Sequence, residues 1–130
     1  MPLSRLLVPL SLAMLGACAQ QPTQIVALDA ESECPQRMRV GQPLTLTLPS
    51  NPSTGYRWLV QDAASNILRS LGPEIYSAPK EAGIVGSAGV SRWRFEARMV
   101  GEGHLVLVYQ QPWAMEVSPV QTFDCTIRVN

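Results

Sequence analysis

Charge is scarce in this chain, and neither sign prevails. Only 15% of the 130 residues are charged, and ten Lys and Arg balance ten Asp and Glu, for a formal net charge of zero. Phosphate contacts need a basic excess, so nucleic acid is not an expected partner. Histidine occurs once, at His104, and cysteine three times, at Cys18, Cys34 and Cys125. Ligand-type side chains this few and far apart lack the spacing of a zinc site, and no metal or cofactor is expected. Long uninterrupted stretches are missing as well. Eleven prolines and nine glycines cut the chain into short pieces, which disfavours a helical bundle, a Rossmann domain or a multidomain enzyme. What is present is apolar: 46% hydrophobic residues, enough for one domain with a core rather than a disordered tail.

Residues 1–17 read as a secretory signal. One early cation, Arg5, precedes Leu6, Leu7, Val8, Leu10, Leu12, Met14 and Leu15, with Pro9 interrupting the run. Such a run is too short for a permanent membrane span. It ends Leu15-Gly16-Ala17-Cys18, which is similar to a bacterial lipobox: a large aliphatic residue, two small ones, then the cysteine that takes a diacylglyceryl group. Ordinary cleavage nearby, with Cys18 as a stray thiol, is the alternative. On the lipobox reading the protein is exported and anchored by lipid on Cys18 to the bacterial envelope. Ala19 leans towards the outer membrane, and without a used lipobox the protein is periplasmic. Residues 18–24 form a Gln/Pro tether, and residues 25–130 the folded domain. Loss of Arg5 leaves nine bases against ten acids.

Export decides the cysteine arithmetic. With Cys18 acylated, Cys34 and Cys125 remain as a pair in an oxidising compartment, where a bridge would clip the first segment to the last strand. Two reduced cysteines, one buried in a strand and one exposed, are the alternative. Catalysis by a Cys–His pair needs a free thiolate. With one thiol acylated and two paired, an enzyme is not expected.

The mature chain alternates with period two rather than 3.6. In Pro43-Leu44-Thr45-Leu46-Thr47-Leu48 the leucines share one face. Arg92 to Met99 places Trp93, Phe95, Ala97 and Met99 inward, with charged residues between them. His104–Tyr109 is apolar on both faces, as a central strand should be. Phe123, Cys125, Ile127 and Val129 alternate with polar residues in a final strand. Weaker strands are expected at Ile25–Leu28, Tyr56–Gln61 and Ile67–Tyr76, the last broken by Gly72-Pro73. About seven or eight short strands in this length predict an all-β, immunoglobulin-like antiparallel β-sandwich.

Three connections stand out. Asn51-Pro52-Ser53-Thr54-Gly55-Tyr56 is a tight turn: proline fixes one φ, glycine permits a positive one, and the Asn51 side chain can cap it. Gly83 to Gly89 is glycine-rich, but lacks the lysine and helix of a phosphate-binding loop. Tyr109-Gln110-Gln111-Pro112-Trp113 leaves the central strand with a tryptophan held out by proline, better suited to a binding anchor than to core.

These three segments, in this order, resemble the chagasin family of cysteine-peptidase inhibitors, over roughly residues 35–130. The first follows the family's Asn-Pro-Thr-Thr-Gly-Tyr pattern with Ser53 for a threonine. Gly86-Ser87-Ala88-Gly89 is a looser match to the glycine-rich segment. Gln111 stands where the family usually has arginine, before the matching Pro112 and Trp113. The resemblance implies a reversible, non-covalent inhibitor whose three loops occlude the cleft of a papain-like cysteine peptidase, the cell's own or a host's. Thr54 would meet the catalytic cysteine, and Gly55 would let the backbone approach closely. Gly86, Ser87, Ala88 and Gly89 would run along the cleft, and Trp113 would stack on aromatic surface. A monomer is expected. Without these motifs, a lipid-anchored structural or adhesion module on the same sandwich would be the preferred reading.

Overall fold

The computed structural model describes residues 24–79 and 89–130. The predicted signal segment, Cys18 and the tether to residue 23 lie outside the described residues. So do Gly86, Ser87 and Ala88 of the second loop.

Among the described residues, nine strands form two packed sheets. In the first, β1 (Val26–Leu28), β3 (Pro43–Ser50) and β7 (Gly89–Ala97) lie side by side. Two short strands, β5 (Leu68–Ser70) and β6 (Ile75–Ser77), share the far edge of β7. The second sheet runs β2 (Gln36–Met38), β9 (Gln121–Val129), β8 (Gly101–Gln110), β4 (Arg57–Ala63).

The alternation in the sequence is what buries one face of each sheet. Leu44, Leu46 and Leu48 of β3 and Ser91, Trp93, Phe95 and Ala97 of β7 are buried, while Arg92 and Arg94 point to solvent. The antiparallel register sets Leu46 opposite Trp93 and Leu44 opposite Phe95. Facing them, β8 brings Leu105 and Leu107, and β9 brings Phe123, Cys125, Ile127 and Val129. Each Val, Leu, Ile or Phe side chain among these, fully buried, contributes roughly 1.5–3 kcal/mol. β8 lies between two neighbours, and Val108 on its other face is buried as well. The central-strand expectation therefore holds.

Three features differ from the expected pattern. Met99 is 64% exposed. β7 ends at Ala97, whose N–H donates to the Gln42 carbonyl at 2.9 Å, and Met99 falls in the following turn, where period two no longer applies. β2 has no counterpart among the expected strands, since three residues carry too little alternation to read. Finally, β1 on β3 and β2 on β9 are parallel pairs, so both sheets are mixed rather than purely antiparallel. β1 and β2 belong to different sheets and cannot close a hairpin on each other. Each instead pairs with a strand remote in sequence.

The crossing between β1 and β2 is pinned to the last strand. Cys34 and Cys125 form a disulfide with Cα atoms 5.4 Å apart, closing a separation of 91 residues. Beside it, the Glu31 carboxylate accepts the Asp124 N–H at 2.7 Å. The clip between the first segment and the last strand is present as expected.

Candidate functional site

β3, β4, β7, β8 and β9 all start or finish at one end of the sandwich, so their connections gather there. The first connection is a single 3-10 turn, Pro52–Thr54. Pro52 occupies its opening position, where a missing N–H costs nothing and φ is already helical. Thr54 Oγ1 donates to the Asn51 carbonyl at 2.7 Å, and the Gly55 N–H donates to the Pro52 carbonyl at 3.0 Å. Gly55 closes the turn at φ +80, a left-handed conformation that glycine adopts without strain. The expected side-chain cap differs in detail. The Asn51 side chain makes no bond to the turn's backbone and accepts the Ser53 hydroxyl instead. Ser53 and Thr54 are exposed at the tip, whereas Asn51, Pro52, Gly55 and Tyr56 are half-buried.

This turn is braced from below by aromatic rings. Tyr109, on β8, accepts the Asn51 N–H on its hydroxyl at 3.0 Å. Its ring stacks on Trp58 at 4.8 Å between centroids and lies 5.5 Å from Tyr56. Trp58 in turn donates its indole N–H to the Pro49 carbonyl at 2.9 Å. Tyr109 and Trp58 were not among the expected site residues. Their signal was the aromatic immediately flanking each loop, Tyr109 before Gln110 and Trp58 after Arg57.

The third connection leans directly on the first. The Gln111 side-chain amide donates to the Thr54 carbonyl at 3.4 Å. The Trp113 ring lies over Gly55 so closely that a Cβ there would stand 2.2 Å from the ring's Cη2. Even so, Trp113 remains 69% exposed. The missing side chain at Gly55 thus makes room for the protein's own tryptophan as well as permitting the turn. The loop closes through the Ala114 N–H on the Gln111 carbonyl at 3.0 Å and the Val120 N–H on the Tyr109 carbonyl at 3.0 Å. Pro112 is exposed beside the ring.

Of the second connection, Gly89 is described. It opens β7 opposite Ser50, immediately before Asn51, so β7 begins beside the start of the first loop. A Cβ at Gly89 would meet the Ser77 carbonyl at 2.2 Å and the Tyr76 ring, a contact that backbone cannot yield. The structure therefore brings Asn51, Pro52, Ser53, Thr54, Gly55, Tyr56, Gly89, Gln111, Pro112 and Trp113 to one end.

The tips at this end are uncharged, with exposed Arg57 and Glu116 just outside them. Neither the Asn51–Tyr56 turn nor the Gln111–Met115 segment holds an ionised side chain. His104 lies elsewhere, exposed on β8, with Nδ1 3.4 Å from Asp124 Oδ1 and 3.4 Å from Thr126 Oγ1. Among the described residues no three His, Cys, Asp or Glu side chains converge as metal ligands would.

At this end of the sandwich two connections lean on each other, with the start of β7 beside them. Residues 37–127 match the family described as Chagasin family peptidase inhibitor I42, and the chain belongs to that family, whose members are protease inhibitors and not enzymes. Amoebiasin-1 of Entamoeba histolytica is 36% identical over 93 residues, which cover 69% of this chain and 82% of that protein. Among solved structures, the cysteine protease inhibitor EhICP2 from Entamoeba histolytica shares the fold. Its TM-score is 0.69 at 21% identity, with 82% of this chain and 96% of that one covered. The solution structure of Amebosin matches with a TM-score of 0.64 at 28% identity, over 82% of this chain and 99% of that one.

Proposed function

We propose that the protein is a reversible, non-covalent inhibitor of papain-like cysteine peptidases and blocks the active-site cleft with this loop end. The observation that carries the reading is the mutual support of the first and third loops. Trp113 on Gly55 and Gln111 on the Thr54 carbonyl make one edge from two connections. An edge already fixed loses little conformational entropy on binding, so a modest interface can still be tight.

In this reading Thr54 enters the cleft at the catalytic cysteine and excludes water and substrate. Its turn presents hydroxyls and backbone rather than an extended peptide aligned for attack. Trp113, held by one face on Gly55, offers its remaining surface to the wall of the cleft, the role for which tryptophan is favoured at interfaces. By the family resemblance, Gly86, Ser87, Ala88 and Gly89 would contribute backbone hydrogen bonds along the cleft. No ionised group has to be desolvated at the tip.

Titration of papain with the protein tests this. Activity should fall in proportion to inhibitor added and return on dilution, with no mass change on the peptidase. Undiminished activity at molar excess would leave a lipid-anchored immunoglobulin-like module without inhibitory function. Acylation of Cys18, and with it export to the bacterial envelope, belongs to the same reading. Its support is the Leu15-Gly16-Ala17-Cys18 sequence after the apolar run. Cys18→Ser should release the protein from washed membranes without unfolding it.

A further inference from the structure

The end of the sandwich opposite the loops carries a second apolar surface. Ile25, Val40, Met99 and Val100 are 63%, 51%, 64% and 71% exposed. They come from three separate pieces of chain that hydrogen bonds draw together. The Gly41 N–H donates to the Ala97 carbonyl at 2.7 Å, joining the turn after β2 to the end of β7. The Gln42 side-chain amide donates to the Gln24 carbonyl at 2.9 Å, joining the same turn to the segment just before β1. Met99 and Val100 form the tip of the β7–β8 hairpin, flanked by exposed Arg98, and Val40 is flanked by exposed Arg39. Arg98 is itself paired with Glu96 at 3.4 Å, and Glu102 is paired with Arg128 at 3.2 Å.

We propose that this end is a lipid-facing surface: Met99 and Val100 enter the headgroup region of a bilayer, Arg39 meets anionic phosphates, and the loops of the opposite end point away from the membrane. Three observations favour a bilayer as the occupant. The first is where the chain leads. Gln24 lies at this end, and only six peptide units separate it from Cys18, the acylation site of the reading above. Fully extended they reach about 20 Å, so an anchor at Cys18 would hold this end, not the loops, near the bilayer. The second is charge: exposed Arg39 beside Val40 complements an anionic leaflet. The third is shape. Apolar side chains at turn and hairpin tips, with an arginine beside them, suit shallow interfacial insertion rather than a protein groove.

Brominated phospholipids test the orientation. Full-length protein from an acylating bacterial host is reconstituted into vesicles of phosphatidylethanolamine and phosphatidylglycerol, with and without bromine on the acyl chains. Tryptophan emission is then compared for the unaltered protein, Val100→Trp and Met99→Trp. Trp58 and Trp93 are buried and supply a constant background. Most of the emission added by either substitution should be quenched, while native Trp113 stays unquenched. Quenching of Trp113, with or without the introduced indole, would overturn the proposal by placing the loops at the membrane. So would a membrane-bound protein in which neither site is quenched, or a full-length chain that stays off vesicles. An added indole that is already shielded without vesicles would mean that the chain itself covers this end, again contradicting it. Titration of papain by each variant shows independently that the fold and the loop end are intact.

Discussion

Between loops, the two ends of the sandwich are held by different means. At the loop end, contacts from one connection to another run through side chains: Trp113 on Gly55, Gln111 on the Thr54 carbonyl, Tyr109 under Asn51. At the opposite end they run mainly through backbone. The Gly41 N–H bonds to the Ala97 carbonyl, the Val40 N–H to the Asn130 carbonyl, and the Arg98 N–H to the Ile67 carbonyl. Backbone bonding fixes a turn whatever its side chains are, leaving Val40, Met99 and Val100 free to face outward. Side-chain bonding ties the loop conformation to particular residues. A substitution at the loop end should therefore change binding, whereas one at the hairpin tips should leave inhibition alone.

The largest expected effect bears on both ends at once. Cys34→Ser opens the clip between the first segment and β9, and the chain-entropy account of so long a loop allows a loss of up to about 4–5 kcal/mol of stability. Chemical denaturation should show it. Inhibition per folded molecule should stay constant, because the bridge lies away from the loops. Trp113→Ala comes next, with a loss of about 2 kcal/mol in binding, roughly thirtyfold in the inhibition constant. Its melting curve should barely move, since the ring is mostly exposed. A sharp fall in melting temperature with unchanged inhibition would make Trp113 a core residue and end the contrast between the two ends.

Tyr109→Phe is subtler. It leaves the Asn51 N–H without its partner while keeping the aromatic stack, at a cost of about 1 kcal/mol, visible in both binding and stability. Gln111→Ala should do least, below about 1 kcal/mol, because its 3.4 Å bond is long and exposed. Gln111→Arg, which restores the family's usual residue, sharpens the comparison: tighter inhibition is expected where the peptidase offers a carboxylate nearby.

How far the sequence could be read follows from these same contacts. β3, β7 and β9 were legible because their alternation leaves no other way to bury Leu44, Trp93 and Ile127, and β8 because its run is apolar on both faces. β2 was not legible, because Gln36-Arg37-Met38 becomes a strand only when β9 arrives beside it, a partner about ninety residues away. Met99 was misplaced because alternation carries no mark of where a strand stops. The loop residues were legible as a motif. Their mutual support was not, since nothing local to Gly55 announces that Trp113 will occupy its open side. Tyr109 read as strand, and its second role appears only where its hydroxyl meets Asn51.

The claim that Thr54 covers the catalytic cysteine can be tested at that thiol. Papain is saturated with the protein, and alkylation of its active-site cysteine by iodoacetamide is followed by mass spectrometry. Burial beneath the Asn51–Tyr56 turn predicts that alkylation slows to the rate at which the complex dissociates, and that Trp113→Ala restores part of the free rate. A thiol that reacts in the saturated complex as fast as in free papain would place the inhibitor somewhere other than the cleft floor.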